Sequence, residues 1–294
     1  GVTRTHWSNA FKKYKSEVPI IIVGNLTIGG TGKTPLVKYI ATELIKLGYK
    51  PGIVSRGYGG KFKETLRVTN ETPVKQTGDE AQILSTLNIP FYIDKNRVRA
   101  LKTLNDNHDC DVIISDDGLQ HYNMNRDVEI VVIDGKRRFG NNLSFPAGPL
   151  RESLKRLDSV DFIVNNSGPT EDGEHLMNVS PAKFIHLKSG KSYSVEDWPM
   201  HKQVHAVAGL GNPGRFFDLL ARLGFDITRN PFPDHHNFIS EDVHYLDHLP
   251  IIMTEKDASK CKDFDNNKIW YLTIEAEVSS KFMEKLDSKL KNLS

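Results

Sequence analysis

Residues 20–47 constrain the fold more than any other stretch of this chain. The apolar strand Ile20–Val23, bounded by Pro19 and Gly24, leads through Thr27-Ile28-Gly29-Gly30-Thr31-Gly32-Lys33-Thr34 into an amphipathic helix over 34–47. Leu36, Ile40, Leu44 and Leu47 form one apolar face of that helix, and Gly48 stands at the C-terminal cap position. A strand, a glycine-rich turn and a helix in this order make a cradle for an anion. The glycines let consecutive backbone N–H groups turn inward, and the helix N-terminus adds the positive end of its dipole. Lys33 then suits the β- and γ-phosphates of a nucleotide, and the Thr34 hydroxyl suits Mg²⁺.

The spelling departs from the strict Gly-x4-Gly-Lys-[Ser/Thr] pattern, because Thr27 occupies the first glycine position. The doubled Gly29-Gly30 resembles the variant loop of MinD-like and dethiobiotin-synthetase-like ATPases. Ile28 stands where the ParA/MinD members carry a lysine. Thr27, Gly29, Gly30, Thr31, Gly32, Lys33 and Thr34 are the expected contacts to ATP.

Around this loop, short apolar strands alternate with amphipathic helices. Strands are expected at Ile53–Ser55, Pro90–Ile93, Asp111–Ser115, Glu129–Asp134 and Asp161–Asn165, with helices over 80–88 and 97–106. That βαβα rhythm predicts an α/β fold: a P-loop NTPase-like, doubly wound, mostly parallel sheet. Residues 166–180, rich in Ser, Gly, Pro, Asn, Asp and Glu, read as a linker. A second α/β run follows, with strands at Val204–Ala208, Ile251–Thr254 and Ile269–Thr273, a helix over 214–223 and a last amphipathic helix over 279–291. The expected division is a P-loop domain over 1–165 and a smaller α/β domain over 166–294.

A length of 294 residues suits two such domains, each large enough to bury a core without disulfides or metals. A formal net charge of +2, with Lys and Arg spread along the chain, does not suggest a nucleic-acid partner. Cys110 and Cys261 have neither a near partner nor metal-ligand spacing, so a reduced, cytosolic protein is the simplest reading. No apolar run approaches the roughly 18 residues of a membrane span, and no secretory signal is visible. The chain opens on Gly1, as a trimmed chain would. In the segment 1–17, Trp7, Phe11 and Tyr14 recur at helical spacing among Arg4, Lys12, Lys13 and Lys15. Such a stripe suits either a helix lying in a membrane interface or one packed on its own domain.

Other motifs carry chemistry. Asp116 and Asp117 follow the strand Asp111–Ser115, and an acidic residue at the end of a strand beside a phosphate loop can hold Mg²⁺. Asp79, in Gly78-Asp79-Glu80, is either a base for an acceptor hydroxyl or an N-cap paired with Gln82; the residues alone favour the cap. Pro233-Asp234-His235-His236-Asn237 is either a polar turn or a carboxylate tuning an imidazole. Arg56, within Ser55–Gly60, suits an anionic group at the strand ends. Arg151 and Glu152 end the rigid loop Pro146–Glu152, where Arg151 could neutralise a transferring phosphate. Gly209-Leu210-Gly211-Asn212-Pro213-Gly214 spells a dinucleotide fingerprint, but residues 229–233 lack the acid such a site wants, so it reads as a packing turn. Thr254-Glu255-Lys256-Asp257 misses the guanine-type order by one residue.

Taken together, the motifs resemble one family, the tetraacyldisaccharide 4′-kinases. The stretches that match run in order from Val23–Pro35 through Ser55–Gly60, Gly78–Glu80, Asp116–His121, Pro146–Glu152, Gly209–Phe217, Asp234–His236 and Thr254–Ala258. The resemblance implies transfer of the γ-phosphoryl of ATP to the 4′-hydroxyl of a tetraacylated glucosamine disaccharide 1-phosphate, forming lipid IVA. It implies two α/β/α domains with the active site in the cleft between them. It makes Asp79 the base, reversing the preference for a cap, and His235 its assistant, with Lys33, Thr34, Asp116 and Asp117 at the nucleotide and Mg²⁺. Glu152 joins the expected metal set and Arg151 the nucleotide set. The family's longer apolar N-terminal helix is represented here by the basic aromatic segment 1–17. The expected setting is the cytoplasmic face of the inner membrane of a Gram-negative bacterium, the protein a peripheral or N-terminally anchored monomer. Two rivals stay open: a MinD-like switch ATPase and a kinase of the same fold acting on a soluble molecule.

Overall fold

A computed structural model describes residues 13–293. The expected interfacial stripe of Trp7 and Phe11 therefore lies outside the described residues. Tyr14, the third member, pairs with Met124 as an isolated bridge, and Lys102 lies 5.5 Å from the centre of its ring.

The chain forms two compact units: residues 1–179 with 276–294, and residues 180–275. In chain order the first unit contains β1 (Ile20–Gly24), α1 (Lys33–Lys46), β2 (Pro51–Ser55), β3 (Leu66–Arg67), α2 (Val74–Thr77), α3 (Asp79–Ser85), β4 (Phe91–Ile93), α4 (Arg97–Asn107), β5 (Val112–Asp116), β6 (Val128–Asp134) and β7 (Phe162–Asn166). Next comes β8 (Glu174–His186), along which the chain leaves this unit. The strand order is β3-β4-β2-β5-β1-β6-β7-β8, parallel throughout except for the short antiparallel edge β3. Burial on both faces explains why β1 and β5 are continuous apolar runs rather than alternating ones. Helix α1 buries Leu36, Ile40 and Leu44 as its periodicity predicts. Leu47, the fourth residue of that face, falls past the last turn and is 51% exposed.

The second unit contains β9 (Ser192–Ser194), β10 (Gln203–Ala208), α5 (Pro213–Arg222), β11 (Asp226–Pro231), β12 (Ile251–Thr254) and α6 (Glu255–Ala258). It ends in β13 (Ile269–Val278), along which the chain returns to the first unit and its last helix, α7 (Ser280–Lys291). Its order is β11-β10-β12-β13 in parallel register, around a core of Phe184, Trp198, Phe217, Leu220, Phe225 and Trp270.

The structure moves the expected domain boundary from 165/166 to 179/180 and takes the last 19 residues out of the second domain. The stretch 166–180 read as a linker because it is polar. Its second half is in fact β8, and most residues of that strand are half-buried or exposed, so no apolar alternation marks it. Met177 and Phe184 are the exceptions: Met177 is fully buried in the first core and Phe184 in the second. The last helix belongs to that core because Phe282, Met283, Leu286 and Leu290 bury there. Phe162 and Phe282 meet edge to face at 5.4 Å. Among the described residues no helix is long and apolar enough to cross a membrane.

Replacing the fully buried Phe282 by Ala should cost the first unit about 3–5 kcal/mol. A urea midpoint for Phe282→Ala equal to that of the unaltered chain would show that α7 is not part of this core.

Candidate active site

The register of β1 and β5 brings the main motifs of the first unit together. Val23 lies opposite Asp116 in the parallel pair, so the loops leaving the two strands emerge side by side. Between β1 and α1 the loop turns on Gly32, which is the N-cap of α1 at φ +94°. In this left-handed region glycine carries no Cβ penalty. A side chain would also come within 2.5 Å of the Asn166 amide, whose N–H₂ donates to Thr31 O at 3.0 Å. No side chain caps α1 and no acid lies in its first turn. The first amides of a 14-residue helix are thus left to an anion.

The other loop residues divide by role. Thr27 is buried and paired through its backbone with Leu150, and its carbonyl accepts from Asn25 Nδ2 at 2.8 Å; it shapes the turn. Gly29 and Gly30 are exposed, Gly29 at φ +95°. Thr31 is buried and its Oγ1 has no partner. Thr34 is the second residue of α1 and is half-buried.

Lys33 Nζ lies 3.4 Å from Asp117 Oδ1, and Arg151 Nη1 lies 3.3 Å from the same oxygen. Burial pushes the Asp117 carboxyl up, but Lys33 and Arg151 outweigh it and hold the group below its usual value. Its neighbour behaves oppositely. Asp116 is buried, and desolvation, with the negative charge of Glu80 next in size, pushes its carboxyl up to about 7 against the pull of Lys33 and Arg97. Its Oδ1 has no hydrogen-bond partner, and Ser55 Oγ is 3.5 Å from Oδ2. One buried carboxyl therefore feels Ser55, Glu80, Lys33 and Asp117, which places four of the sequence motifs around a single point.

Asp79 is not the N-cap that its spacing to Gln82 predicts. Gly78 takes that position at φ +82°, with no side-chain cap, and Asp79 is the first residue of α3. Gln82 turns away, its Oε1 accepting from Thr77 Oγ1 at 3.3 Å and its Nε2 donating to Asn70 O at 3.2 Å. Glycine is required at 78 by contact as well as by φ, since a Cβ would come within 2.1 Å of Tyr58 O. The Ser55–Gly60 turn and the start of α3 are thereby locked together.

Glu152 is not brought to the Asp116–Asp117 pair. Its Oε1 accepts from Gln120 Nε2 at 2.8 Å, and its Oε2 accepts from the Tyr122 hydroxyl. Gln120 Oε1 in turn accepts from Arg151 Nη1 at 3.4 Å, so Glu152 braces the arginine at one remove. Among the described residues, no three or more His, Cys, Asp and Glu side chains gather as a metal cage. The unpartnered Asp116 Oδ1 beside Asp117 nonetheless fits Mg²⁺, which keeps most of its water and needs only one or two carboxylates plus phosphate oxygens.

Two residues at this point escaped the sequence reading. Arg97 is 2% exposed; its Nη2 donates to Asp116 O at 2.9 Å and its Nη1 to Asp94 O at 3.1 Å. Burial pulls the guanidinium down to about 10. His121 Nε2 is buried without a partner, and burial, with Arg97, Arg126 and Arg56, pulls the imidazole down to about 4. Asn96, which caps α4 through its side chain just past the end of β4, was the available signal for Arg97.

In the second unit three further motifs meet at the end of β10. Asp257 is fully buried; its Oδ2 accepts from Gly209 N at 3.0 Å and from Thr254 Oγ1 at 2.7 Å. A side chain at Gly209 would press on Asp257, Pro233 O and His236 Cβ, so this is the packing turn expected from the missing acid. His236 sits between Phe232 and Phe238, with Nε2 2.8 Å from Asp242 Oδ2. His235 adopts φ +58°, and its half-exposed ring has Nε2 4.0 Å from Asp234 Oδ1.

A parallel sheet, an uncapped helix start below a glycine turn, and a lysine and a buried carboxyl at adjacent strand ends define a protein of the P-loop NTPase-like class. The family model for tetraacyldisaccharide-1-P 4′-kinase matches residues 2–291, and the chain belongs to that family. It is 47% identical over 284 residues to the tetraacyldisaccharide 4′-kinase of Ruthia magnifica, covering 96% of this chain and 90% of that one. To the protein of the same name from Methylobacillus flagellatus it is 44% identical over 285 residues, covering 96% and 85%. The crystal structure of LpxK from Aquifex aeolicus, in complex with ATP, superposes with a TM-score of 0.82 at 26% identity, covering 98% of this chain and 92% of that one.

The raised Asp116 carboxyl sets a pH dependence. The unfolded side chain ionises near pH 4 and the folded one near 7. The contribution of this group to stability is therefore greatest below the first value, falls as pH rises through that window, and levels off above it. Denaturant unfolding across this range should show that the decline is smaller in Asp116→Asn; an identical slope in the two proteins rules out the raised value.

Proposed function

We propose that this protein is an ATP-dependent lipid kinase that moves the γ-phosphoryl group of ATP to the 4′-hydroxyl of a tetraacylated glucosamine disaccharide 1-phosphate, yielding lipid IVA in lipid A biosynthesis. The observation that carries the reading is the uncapped start of α1 beneath Gly29–Gly32, with Lys33 held at Asp117 beside the desolvated Asp116.

The phosphates of ATP lie in the amide cradle of Gly29 to Gly32, against the positive end of α1. Lys33 leaves Asp117 for the β- and γ-phosphates, where its charge meets the charge that develops in transfer. Arg151, held by Asp117 and Gln120, adds a second positive group. Thr34, Asp116 and Asp117 would hold Mg²⁺, which would supply neutralisation of phosphate charge. Glu152 acts through the Gln120 contact rather than as a ligand. Asp79 accepts the proton of the acceptor hydroxyl, and His235 assists it. The acceptor is a lipid, so the protein works at the cytoplasmic face of the inner membrane.

The test is transfer of label from γ-labelled ATP to the tetraacyl disaccharide 1-phosphate, followed by separation of the lipid products. Lys33→Ala should slow transfer at least a hundredfold. Asp79→Ala should slow it by about 10²–10⁴. An Asp79→Ala enzyme with near-normal kcat would remove the base assignment. ATP-dependent dimerisation without lipid phosphorylation would replace the kinase with a switch ATPase, and turnover of a non-acylated acceptor without detergent would replace the lipid.

A further inference from the structure

Three short segments run side by side at the outer edge of the phosphate loop. Thr27 and Ser144 both pair with Leu150. Ile28 N donates to Pro149 O at 2.8 Å, Leu150 N to Leu143 O at 3.1 Å and Phe145 N to Leu150 O at 2.8 Å. These rungs hold three large apolar residues close together in solvent: Ile28 at 42%, Leu143 at 51% and Phe145 at 66% exposure. Single exposed apolar residues need no explanation, but a group on adjoining backbone segments does. The run from Lys136 to Leu150 contains three basic residues and no acid. Arg138 is engaged by Glu171 and Glu174, whereas Lys136 and Arg137 are exposed. Arg137 Nη2 donates to Ile28 O at 3.2 Å, tying the basic end of the run to the same edge.

We propose that the segment Lys136–Leu150 is a membrane-docking surface, which places Leu143 and Phe145 in the interfacial layer of an anionic bilayer while Lys136 and Arg137 meet its headgroups. Charge complementarity selects this occupant: apolar tips beside the exposed Lys136 and Arg137, with no carboxylate in the run, match a negative lipid surface. The backbone rungs to Thr27 and Ile28 make docking and phosphate-loop position one event, so the loop is delivered to the lipid–water boundary where an acylated acceptor presents its sugar. This deepens the membrane-surface reading above. Its test needs no turnover, so its failure leaves the kinase reading standing and failure of the kinase assay leaves this one standing.

The experiment is co-sedimentation of the full chain with phosphatidylcholine vesicles, with and without phosphatidylglycerol. The unaltered protein should partition more strongly onto the mixed vesicles. Leu143→Ser/Phe145→Ser should weaken that partition by about tenfold or more. Lys136→Glu should weaken it by roughly fivefold or more on the mixed vesicles alone. ATP affinity and melting temperature should be unchanged in both variants. If the double variant does not fold, Phe145→Trp serves instead, with its emission quenched by lipids carrying a quencher at the interface. Unchanged partition of the variants, or an unquenched tryptophan, overturns the proposal. So does a patch whose substitution alters only self-association, or only binding of detergent-dispersed acyl chains.

Discussion

The parallel pairing of β1 with β5 is the constraint on which the rest of the first unit depends. Because Val23 and Asp116 stand opposite one another, a loop that turns through glycines and a turn that carries two carboxylates leave the sheet at one place. Ligands of open α/β sheets gather at such carboxyl ends, where backbone groups are unspent by the ladder and helix starts converge. The neighbouring strand β2 adds Ser55 and β4, on its far side, leads to Arg97, so four strand ends contribute to one small volume.

Electrostatics within that volume are unequal in a useful way. Asp116 and Asp117 are adjacent in sequence and are driven apart in acidity by their surroundings. Asp117 has Lys33 and Arg151 against it, whereas Asp116 lies in the protein interior near Glu80. The result is one carboxylate that stays charged and stores two cations at the entrance, and one that titrates near neutrality behind it. Arg97, although desolvated, supplies the opposing sign, whereas His121, pulled down to about 4, is neutral near pH 7; Arg97 Nε and His121 Nε2 are buried without hydrogen-bond partners.

How much of this was legible beforehand follows from what each segment buries. Strands β1, β5 and β6 are apolar on both faces, and α1 is periodic, so residues 18–134 announced their architecture. The glycine turn and Asp116–Asp117 were legible for the same reason: their chemistry is local. What was not legible depends on long-range packing. The exposed strand β8 looks like a linker, because a strand with few buried positions has no apolar alternation. The membership of α7 in the first core cannot be read from α7, since an amphipathic face does not say which core it meets. Asp79 fits a capping box by spacing, yet Gly78, fixed by contact with Tyr58, took the cap instead. Glu152 was grouped with the metal carboxylates by motif, while its oxygens answer to Gln120 and Tyr122. Relatives at 44–47% identity carry the name of the family that the order of motifs resembles.

The return of α7 to the first unit has a consequence for biogenesis. A ribosome releases the phosphate loop early, but Phe282, Leu286 and Leu290 emerge only after the whole of residues 180–275. The intervening unit, residues 180–275, is contiguous and has its own aromatic core, so it can complete itself while the chain is still being made. The older half must wait, its core incomplete, until α7 has been made. Vectorial synthesis thus reverses the order in which the two units mature, and α7 acts as the latch of the nucleotide-binding half.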